Sequence, residues 1–496
     1  MPTARPGSSR SRTCCRSSHA DRTAFPQPAF LLPASAFPPS AFPLPGFLPS
    51  TAGATGMTAY HAELAWVDGR PEPDVLIGID AGRFTTVTPG VGPPADATRL
   101  PGLTVPGFAN AHSHAFHRAL RGHTHAGLGT FWTWRERMYA VADRLDPDRY
   151  LALATAAYGE MAMAGITCVG EFHYLHHRGD GRPYRDPNAM GAALVEAAAR
   201  AGVRLTLLDA CYLAAGVDGT PLAGVQRRFG DRDADAWAGR VDALSPDRER
   251  WRLGAAVHSV RAVPADQIPT VAGWAAQRDA PLHLHLSEQR AENEACLAQH
   301  HRTPTELLAD LDMLGPRTIA VHATHLGDLD RTLLGDTGTG ACLCPTTERD
   351  LADGIGPARA LVDAGAPLSL GTDSHAVVDM FEEARAVELN TRLADERRGH
   401  FAAGDLLAAA TVAGHRALGW PDAGEIAPGM RADLVTVSME TVRTAGTDPA
   451  AVVFTATAAD VTQVVSGGRV VARDGEHTQL SVPAGLRATI GALAPW

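Results

Sequence analysis

The sequence predicts an α/β protein whose main domain is a TIM-like (β/α)8 barrel, joined to a small β-sandwich domain built from both chain ends. Apolar strand-like runs alternate with alanine-rich helical segments from about Gly107 to Gly419. Alternating strands and helices form a parallel sheet, and about eight such units over roughly 300 residues fit a closed barrel. Short strand-like stretches with turn glycines stand before and after this region.

The first 56 residues do not resemble the rest of the chain. Prolines recur every few residues in the apolar stretch from Phe25 to Pro49, and they would break a membrane-spanning helix. A signal peptide would instead show an uninterrupted apolar core and a small-residue cleavage site. We therefore predict a disordered extension over 1–56, with Met57 as an alternative start, and a targeting segment as the other interpretation.

The remaining chain divides into three predicted parts. Residues 57–105 contain AELAWVDG, PDVLIGID and GLTVPGF, which have the pattern of short strands. Residues 106–420 form the barrel, with strand candidates ITCVGEF, RLTLLDA, RLGAAVHS, PLHLHLSE, TIAVHATH, GACLCP and PLSLGTDS. Helices between them include 187–201 and 383–398. Residues 421–496 return to short strands in GEIAPGMRADLVTVS and VTQVVSGGRVVARDGE, which complete the small β domain.

Composition excludes several classes of protein. The chain has 496 residues, a formal net charge of −11 and 44 basic side chains, all of which are arginine. Schiff-base, pyridoxal-phosphate and P-loop enzymes need a lysine, as does a two-metal hydrolase with a carbamylated lysine bridge. The absence of basic blocks argues against nucleic-acid binding, and nothing in the sequence predicts membrane association. Seven scattered cysteines indicate a reducing compartment, and we expect the cytoplasm.

Two motifs place histidines on strands of the predicted barrel. His112 and His114 are separated by one residue, so both imidazoles can point to the same side of a strand. In PLHLHLSEQ, His285 ends an apolar run and Glu288 follows in the loop. Each motif alone has an ordinary structural interpretation, because surface HxH pairs and hydrogen-bonded strand-end histidines are common.

Two further strands end in the same way. His322 closes the apolar run in AVHATH, and Asp373 follows a strand and a glycine turn in SLGTDS. An aspartate after Gly-Thr is often only a turn former. The joint pattern favours a site, because barrel active sites lie at the carboxyl ends of the strands. Histidine and aspartate are suitable ligands for zinc or iron, and three histidines with one aspartate leave room for water.

From Met57 onward the chain resembles the amidohydrolase superfamily, through the HxH motif, the later strand-end histidines and the final aspartate. The resemblance also includes AHSHAFHRALRG and CPTTERDL, and three segments, FWTWRE, EFHYLHH and HSVRAV, are similar to the subgroup that acts on N-formimino-L-glutamate. This resemblance implies a barrel of the metal-dependent hydrolase type that converts N-formimino-L-glutamate to N-formyl-L-glutamate and ammonia in histidine degradation. It also suggests a homodimer.

The resemblance implies a role for each matching residue. It implies one divalent metal ion, expected to be zinc, held by His112, His114, His285 and Asp373. It implies that Glu288 and Asp373 transfer protons and that His322 orients the attacking water. It implies a substrate-binding set of Arg135, Tyr174, His258, Arg261 and His117. The chain departs from the family at His117, where glutamine is frequent, and this departure affects the expected substrate contact there.

A dicarboxylate substrate needs fixed cationic partners, which guanidinium groups provide through two parallel hydrogen bonds. Arg135 lies among Trp132, Trp134 and Tyr139, and Arg261 follows a strand-end histidine by three residues. The ordinary interpretation of an arginine is a solvated surface residue. For these two arginines the surrounding sequence favours a role in binding.

Three alternative functions stay open at this point. Another single-metal aminohydrolase, acting on guanine, an adenosine-like base or a chlorinated triazine, would share the metal site without needing the two arginines. Imidazolonepropionase is a second alternative, although the FWTWRE and HSVRAV segments count against it. A non-catalytic amidohydrolase-like protein is a third, but such proteins usually lose metal ligands.

Overall fold

The computed structural model describes residues 58–124 and 131–493. The disordered extension predicted for 1–56 lies outside these residues. The described residues contain sixteen β-strands: β1 (Thr58–Val67), β2 (Arg70–Asp80), β3 (Arg83–Thr88), β4 (Thr98–Pro106), β5 (Phe108–Ser113), β6 (Ile166–His173), β7 (Arg204–Cys211), β8 (Trp251–Val257), β9 (Leu282–Leu286), β10 (Thr318–His322), β11 (Gly340–Leu343), β12 (Leu368–Leu370), β13 (Leu434–Val437), β14 (Val461–Ser466), β15 (Arg469–Arg473) and β16 (Glu476–His477).

The same residues contain fourteen α-helices: α1 (Phe131–Arg144), α2 (Pro147–Met163), α3 (Ala189–Ala201), α4 (Ala234–Val241), α5 (Ile268–Arg278), α6 (Arg290–His300), α7 (Pro304–Asp310), α8 (Asp328–Asp336), α9 (Pro345–Asp350), α10 (Ala358–Ala364), α11 (Met380–Asp395), α12 (Ala403–Ala410), α13 (Val412–Ala417) and α14 (Val482–Leu493). No helix within the described ranges combines the length and the apolar character needed to cross a membrane.

Strands β5 to β12 form one parallel sheet in which each strand pairs with its neighbours in chain order. The sheet closes between β12 and β5, where the Asp373 amide donates to the His112 carbonyl at 3.0 Å and the His114 amide donates to the Asp373 carbonyl at 3.2 Å. Gly371 permits this closure, because a Cβ there would lie 2.7 Å from the His112 Cβ. The predicted (β/α)8 barrel is therefore confirmed.

The other sheet combines both ends of the described chain, as predicted. Its order is β16-β15-β14-β13-β4-β1-β2-β3, with β1 and β4 parallel and every other neighbouring pair antiparallel. Strand β4 leads into β5 across Gly107, whose amide donates to the Asp433 carbonyl at 3.1 Å. The domain boundaries proposed after residues 105 and 420 stay a prediction.

The helix predicted over 383–398 begins and ends three residues later than the observed helix α11. The Asp379 carboxylate caps the helix by accepting the amide of Phe381 at 2.9 Å, so the helix begins earlier. It ends where Glu396 takes a left-handed backbone with φ of 53°. The sequence of this segment is rich in charged residues, and its periodicity predicts a helix. It does not mark where the helix begins or ends, because those bounds depend on capping contacts.

A buried ion pair joins the barrel to the second sheet. Arg204, at the start of β7, donates two hydrogen bonds to Asp433, and both side chains are almost completely buried. Burial alone would raise the pKa of Asp433, but the guanidinium holds it below its ordinary value. Asp433 also accepts the Gly467 amide at 2.8 Å, so the pair connects three parts of the chain.

Replacing Arg204 with methionine is expected to lower the free energy of unfolding by about 3–5 kcal/mol, because it leaves the Asp433 carboxylate buried and unpaired. Chemical denaturation followed by circular dichroism measures this change. Arg200→Met is the matched control, because Arg200 forms an exposed ion pair with Glu196 that contributes at most about 1 kcal/mol. Equal midpoints for the two variants would contradict the role assigned to the buried pair.

Candidate active site

The predicted metal ligands lie together at the carboxyl ends of the barrel strands. His112 is on β5 and His114 follows it, His285 is on β9, and Asp373 follows β12. His322 is the last residue of β10. His322 and Asp373 have left-handed backbones, with φ of 67° and 41°. Such conformations cost on the order of 1–3 kcal/mol each, and they cluster at functional sites because surrounding structure must hold them.

Imidazole nitrogens and one carboxylate converge at this end of the barrel. The Nε2 atoms of His112 and His285 are 3.1 Å apart. The Oδ1 atom of Asp373 lies 3.4 Å from His112 Nε2 and 3.3 Å from His114 Nε2. The ligand atoms of the three histidines all lie within 4.8 Å of one another. All four side chains are buried, so the group is shielded from bulk water.

Backbone carbonyls orient two of these rings toward the centre of the group. His114 Nδ1 donates to the Phe172 carbonyl and His285 Nδ1 to the His258 carbonyl, both at 2.9 Å. The Nε2 atom of each ring therefore carries no proton and points its lone pair toward the centre of the group. Burial lowers the pKa of both imidazoles well below the ordinary value, which keeps them neutral. Neutral imidazoles with inward lone pairs, together with a carboxylate, fit a divalent metal ion, and carbonyl partners of this kind hold metal-binding histidines in place.

His322 lies between carboxylates beside this group. Its Nε2 is 3.8 Å from Glu288 Oε1 and 3.9 Å from Asp373 Oδ2, and its Nδ1 is 3.5 Å from Glu348 Oε1. Burial lowers the pKa of His322, but the nearby carboxylates, Glu288 above all, raise it well above the ordinary value. Burial raises the pKa of Glu288. The arrangement can hold and move protons next to the predicted metal ligands.

Sequence reasoning missed Glu348, although it singled out the CPTTERDL motif that contains it. Glu348 is buried on α9, and its Oε1 accepts the Cys344 amide at 2.9 Å, which fixes the carboxylate beside His322. The available signal was the position of a glutamate five residues after the end of an apolar strand. Glu171 was missed as well. It accepts the Ser113 hydroxyl at 2.8 Å and the Ala115 amide at 2.7 Å, and so holds both neighbours of His114.

A cavity of about 220 Å³ opens above the predicted metal ligands. Every other predicted site residue lines it, together with three of the four metal ligands, whereas the fully buried His112 lies behind the wall. Aromatic side chains line the cavity at Phe131, Trp132, Trp134, Tyr139, Tyr174, Tyr212 and Phe229. His117 Nε2 and the Tyr174 hydroxyl are 2.9 Å apart, so these two predicted substrate contacts form one hydrogen-bonded unit.

Both predicted arginines line this cavity. The Arg135 guanidinium lies 4.3 Å from the centre of the Trp132 ring, and Arg261 Nη1 donates to the Tyr212 hydroxyl at 3.4 Å. Within residues 58–124 and 131–493, neither guanidinium forms an ion pair with a carboxylate. Tyr212 was not predicted, and neither was Glu292, a buried cavity residue whose pKa burial raises to about 7.

A second group of possible ligands, His173, His176 and Asp209, also has its atoms within 4.8 Å of one another. Arg240 donates to both oxygens of Asp209, at 3.0 and 2.8 Å, and Trp237 Nε1 donates to it at 3.0 Å. The guanidinium already neutralises this carboxylate. The group therefore fits a buried polar network.

Comparisons with known proteins agree with this geometry. A sequence model described as the Amidohydrolase family matches residues 103–471. The chain is 38% identical to formimidoylglutamate deiminase of Pseudomonas aeruginosa, over 77% of this chain and 87% of that protein. It is 30% identical to 8-oxoguanine deaminase of the same organism, over 75% of this chain and 82% of that protein. A crystal structure of an amidohydrolase from Brucella melitensis, 32% identical, superposes with a TM-score of 0.81 and covers 88% of this chain and 99% of that one.

Proposed function

The chain belongs to the amidohydrolase family, and on this basis we propose that it hydrolyses N-formimino-L-glutamate to N-formyl-L-glutamate and ammonia, as in histidine degradation. One observation carries the choice of substrate. Arg135 and Arg261 line the same cavity as the candidate metal ligands, and neither has a carboxylate partner among the described residues. Two guanidinium groups that form no ion pair within the described residues match the two carboxylates of a glutamate derivative. The 38% identical relative from Pseudomonas aeruginosa, a formimidoylglutamate deiminase, supports the same substrate.

The proposed cofactor is one Zn²⁺ ion, held by His112, His114, His285 and Asp373. Three nitrogen donors and one oxygen donor suit zinc and leave a position for water. When bound, such an ion lowers the pKa of a coordinated water to about 7 and supplies a nucleophile near neutral pH. The ligand chemistry supports zinc, and iron and manganese are the competing ions.

The residues around the predicted ligands provide the proton transfers. Asp373 accepts the proton of the attacking water, and Glu288 delivers a proton to the departing nitrogen so that ammonia leaves instead of an amide anion. His322 is within 4 Å of both carboxylates and donates to the oxygen of the tetrahedral centre. Glu348 supports this role, because its fixed carboxylate faces the other nitrogen of His322.

The remaining cavity residues orient the substrate. Arg135 and Arg261 each bind one carboxylate, while Tyr174 and His258 complete the hydrogen bonds near the reacting group. His117 contacts the substrate or positions Tyr174, to which it is hydrogen-bonded. The proposal further includes a homodimer and a cytoplasmic location. The latter is supported by the five free, buried cysteines among the described residues, since free thiols suit a reducing compartment.

We expect the purified protein, loaded with one equivalent of zinc, to release ammonia from N-formimino-L-glutamate in preference to other substrates. Initial rates with coupled ammonia detection measure this preference. The comparison panel contains N-formimino-L-aspartate, guanine, 8-oxoguanine, cytosine and adenosine. A higher kcat/KM for any nucleobase would contradict the proposal and favour the purine-deaminase alternative, which the 30% identical relative represents. Removal of the metal by a chelator should abolish activity, and zinc should restore it.

A further inference from the structure

A set of hydrogen-bonded side chains adjoins the candidate metal ligands without belonging to them. Glu171, on β6, accepts the Ser113 hydroxyl at 2.8 Å through Oε2 and the Ala115 amide at 2.7 Å through Oε1. Ser113 stands between His112 and His114 and, because side chains alternate along an extended strand, points away from both imidazoles. The Glu171 carboxylate therefore holds the HxH motif from the side opposite to the ligand atoms.

From Ser113 the hydrogen bonds continue to the loop that carries Asp373. His375 Nε2 lies 3.3 Å from the Ser113 hydroxyl oxygen, and His375 Nδ1 lies 3.2 Å from Thr372 Oγ1. Asn110, on β5, donates to Thr372 Oγ1 at 2.7 Å and accepts the Thr372 amide at 2.9 Å. We call this set the Glu171 network; its five side chains are completely buried and belong to Glu171, Ser113, His375, Thr372 and Asn110.

The loop that carries Asp373 needs such support, because two of its residues have left-handed backbones. The φ angle is 41° at Asp373 and 58° at His375. Conformations of this kind persist only where surrounding contacts hold them. The hydrogen bonds at both ring nitrogens of His375 supply part of this support, and so does the pair of hydrogen bonds between Asn110 and Thr372.

The hydrogen bonds of the network run in one direction and end on the Glu171 carboxylate. The Ser113 hydroxyl donates to Glu171, so Ser113 can only accept from His375, whose Nε2 then carries the proton. With one proton on the ring, Nδ1 accepts the Thr372 hydroxyl, and Thr372 accepts the Asn110 amide. An ionised carboxylate only accepts, so Glu171 can end this series while also accepting a main-chain amide.

Glu171 contributes negative charge beside the candidate ligands. It does not line the substrate cavity, and within residues 58–124 and 131–493 it forms no ion pair. Burial raises its pKa to about 7, and the hydrogen bonds from Ala115 and Ser113 lower it. Asp373 supplies one negative charge to the ligand group, so a divalent ion held there keeps an excess positive charge, which a second buried carboxylate offsets.

We propose that Glu171 is a positioning residue, which fixes the metal ligands through this network. It acts on the HxH motif through Ser113 and on Asp373 through His375. The carbonyl partners described above orient individual rings, whereas the network holds two strand ends in register. Loss of partners that orient metal ligands typically weakens metal binding about 10- to 100-fold. This inference rests on the proposed metal site and is independent of the proposed substrate.

Glu171→Gln tests the inference, because glutamine has the same shape but replaces one acceptor oxygen with an N–H donor. Glutamine cannot accept the Ser113 hydroxyl and the Ala115 amide through separate oxygens. We expect the dissociation constant of zinc to rise about 10- to 100-fold, measured by competition with a chromophoric chelator. The visible absorption spectrum of the cobalt-saturated protein should change as well, since it reports the geometry around the ion.

Glu388→Gln is the matched control. Glu388 is also completely buried and accepts the amides of Gly399 and Phe401 at 2.9 and 2.8 Å, but none of its partners adjoins a predicted ligand. This variant should keep the zinc dissociation constant and the cobalt spectrum of the wild type, even where chemical denaturation shows a loss of stability. A merely structural role of Glu171 would give the same result in Glu171→Gln, and that result would overturn the inference.

Ser113→Ala interrupts the network at a second point and leaves the Glu171 side chain in place. It should also weaken zinc binding, and the double variant should bind zinc about as tightly as the weaker single variant, because both changes interrupt one series of hydrogen bonds. Fully additive losses would contradict a connected network. A wild-type protein that binds no zinc would overturn the proposed metal site itself, whereas a zinc-loaded wild type inactive on N-formimino-L-glutamate would overturn only the proposed substrate.

Discussion

The Asp373→Asn protein is expected to lose turnover by about 10²- to 10⁴-fold, because an amide cannot take a proton from the attacking water. The carboxylate is central to the site, with Oδ1 within 3.4 Å of two histidine nitrogens and Oδ2 3.9 Å from His322. The main-chain hydrogen bonds that close the barrel at this residue do not depend on its side chain. The variant should therefore fold normally. Circular dichroism and the elution volume in size-exclusion chromatography test this expectation.

Asp373 is both a proposed ligand and a proposed base, so the experiment must separate the two roles. We expect excess zinc to restore much of the metal content of the variant, measured by mass spectrometry, but little of its kcat. Asp379→Asn is the matched control for kcat and metal content, since Asp379 is also buried but lies outside the cavity lining, where its Oδ1 caps α11 and its Oδ2 accepts the Ala458 amide at 2.8 Å. An Asp373→Asn protein that holds a full equivalent of zinc and keeps more than a tenth of wild-type kcat would refute the assignment as base.

The sequence allowed the convergence of the four candidate ligands to be predicted because of how parallel barrels are built. Strands that run in one direction place all their carboxyl ends on one rim. Residues far apart in sequence, such as His112, His285 and Asp373, therefore converge whenever each stands at the end of its strand. No knowledge of loop conformation is needed for this step. The same reasoning explains why the barrel itself was predictable, since alternation of strands and helices is a local property of the chain.

Residues whose position depends on loops and helices could not be found in this way. Glu348 lies beside His322 only because α9 begins directly after β11, so that the first turn of the helix lies next to the site. Tyr212 contacts Arg261 through a loop beyond β8. The Glu171 network becomes evident only when the side chains of three chain segments have been placed. These contacts are tertiary, and neither spacing nor periodicity encodes them.

The two arginines were predictable in identity but not in relation to each other. Their sequence neighbourhoods indicated binding, and both line the same cavity as three of the candidate ligands. Arg261 is partly buried and is hydrogen-bonded to a phenol, whereas Arg135, also partly buried, stacks on a tryptophan that is 46% exposed near the mouth. We therefore expect them to contribute unequally, because charge interactions strengthen as water is excluded.

Arg261→Met is expected to lower kcat/KM for N-formimino-L-glutamate by roughly 30-fold or more, the range for losing one partner of a buried, hydrogen-bonded charge pair. Arg135→Met should cost about fivefold, because water at the cavity mouth, where Trp132 is exposed, screens the charge interaction. Both substitutions should mainly raise KM and change kcat little, since both guanidinium groups bind the substrate away from the reacting carbon. Metal content should stay at one equivalent, because neither arginine contacts the predicted ligands.

Substrate analogues make this prediction specific. N-formimino-L-norvaline lacks the side-chain carboxylate, and N-formimino-4-aminobutyrate lacks the α-carboxylate. Whichever arginine binds the missing carboxylate should no longer matter, so that variant and wild type use the analogue equally well, while the other variant keeps its full defect. Arg137→Met is the matched control, because Arg137 lies on α1 two residues from Arg135 but does not line the cavity. If both variants retain wild-type kcat/KM for the dicarboxylate, the two-arginine clamp is wrong, and a neutral substrate becomes the better hypothesis for this cavity.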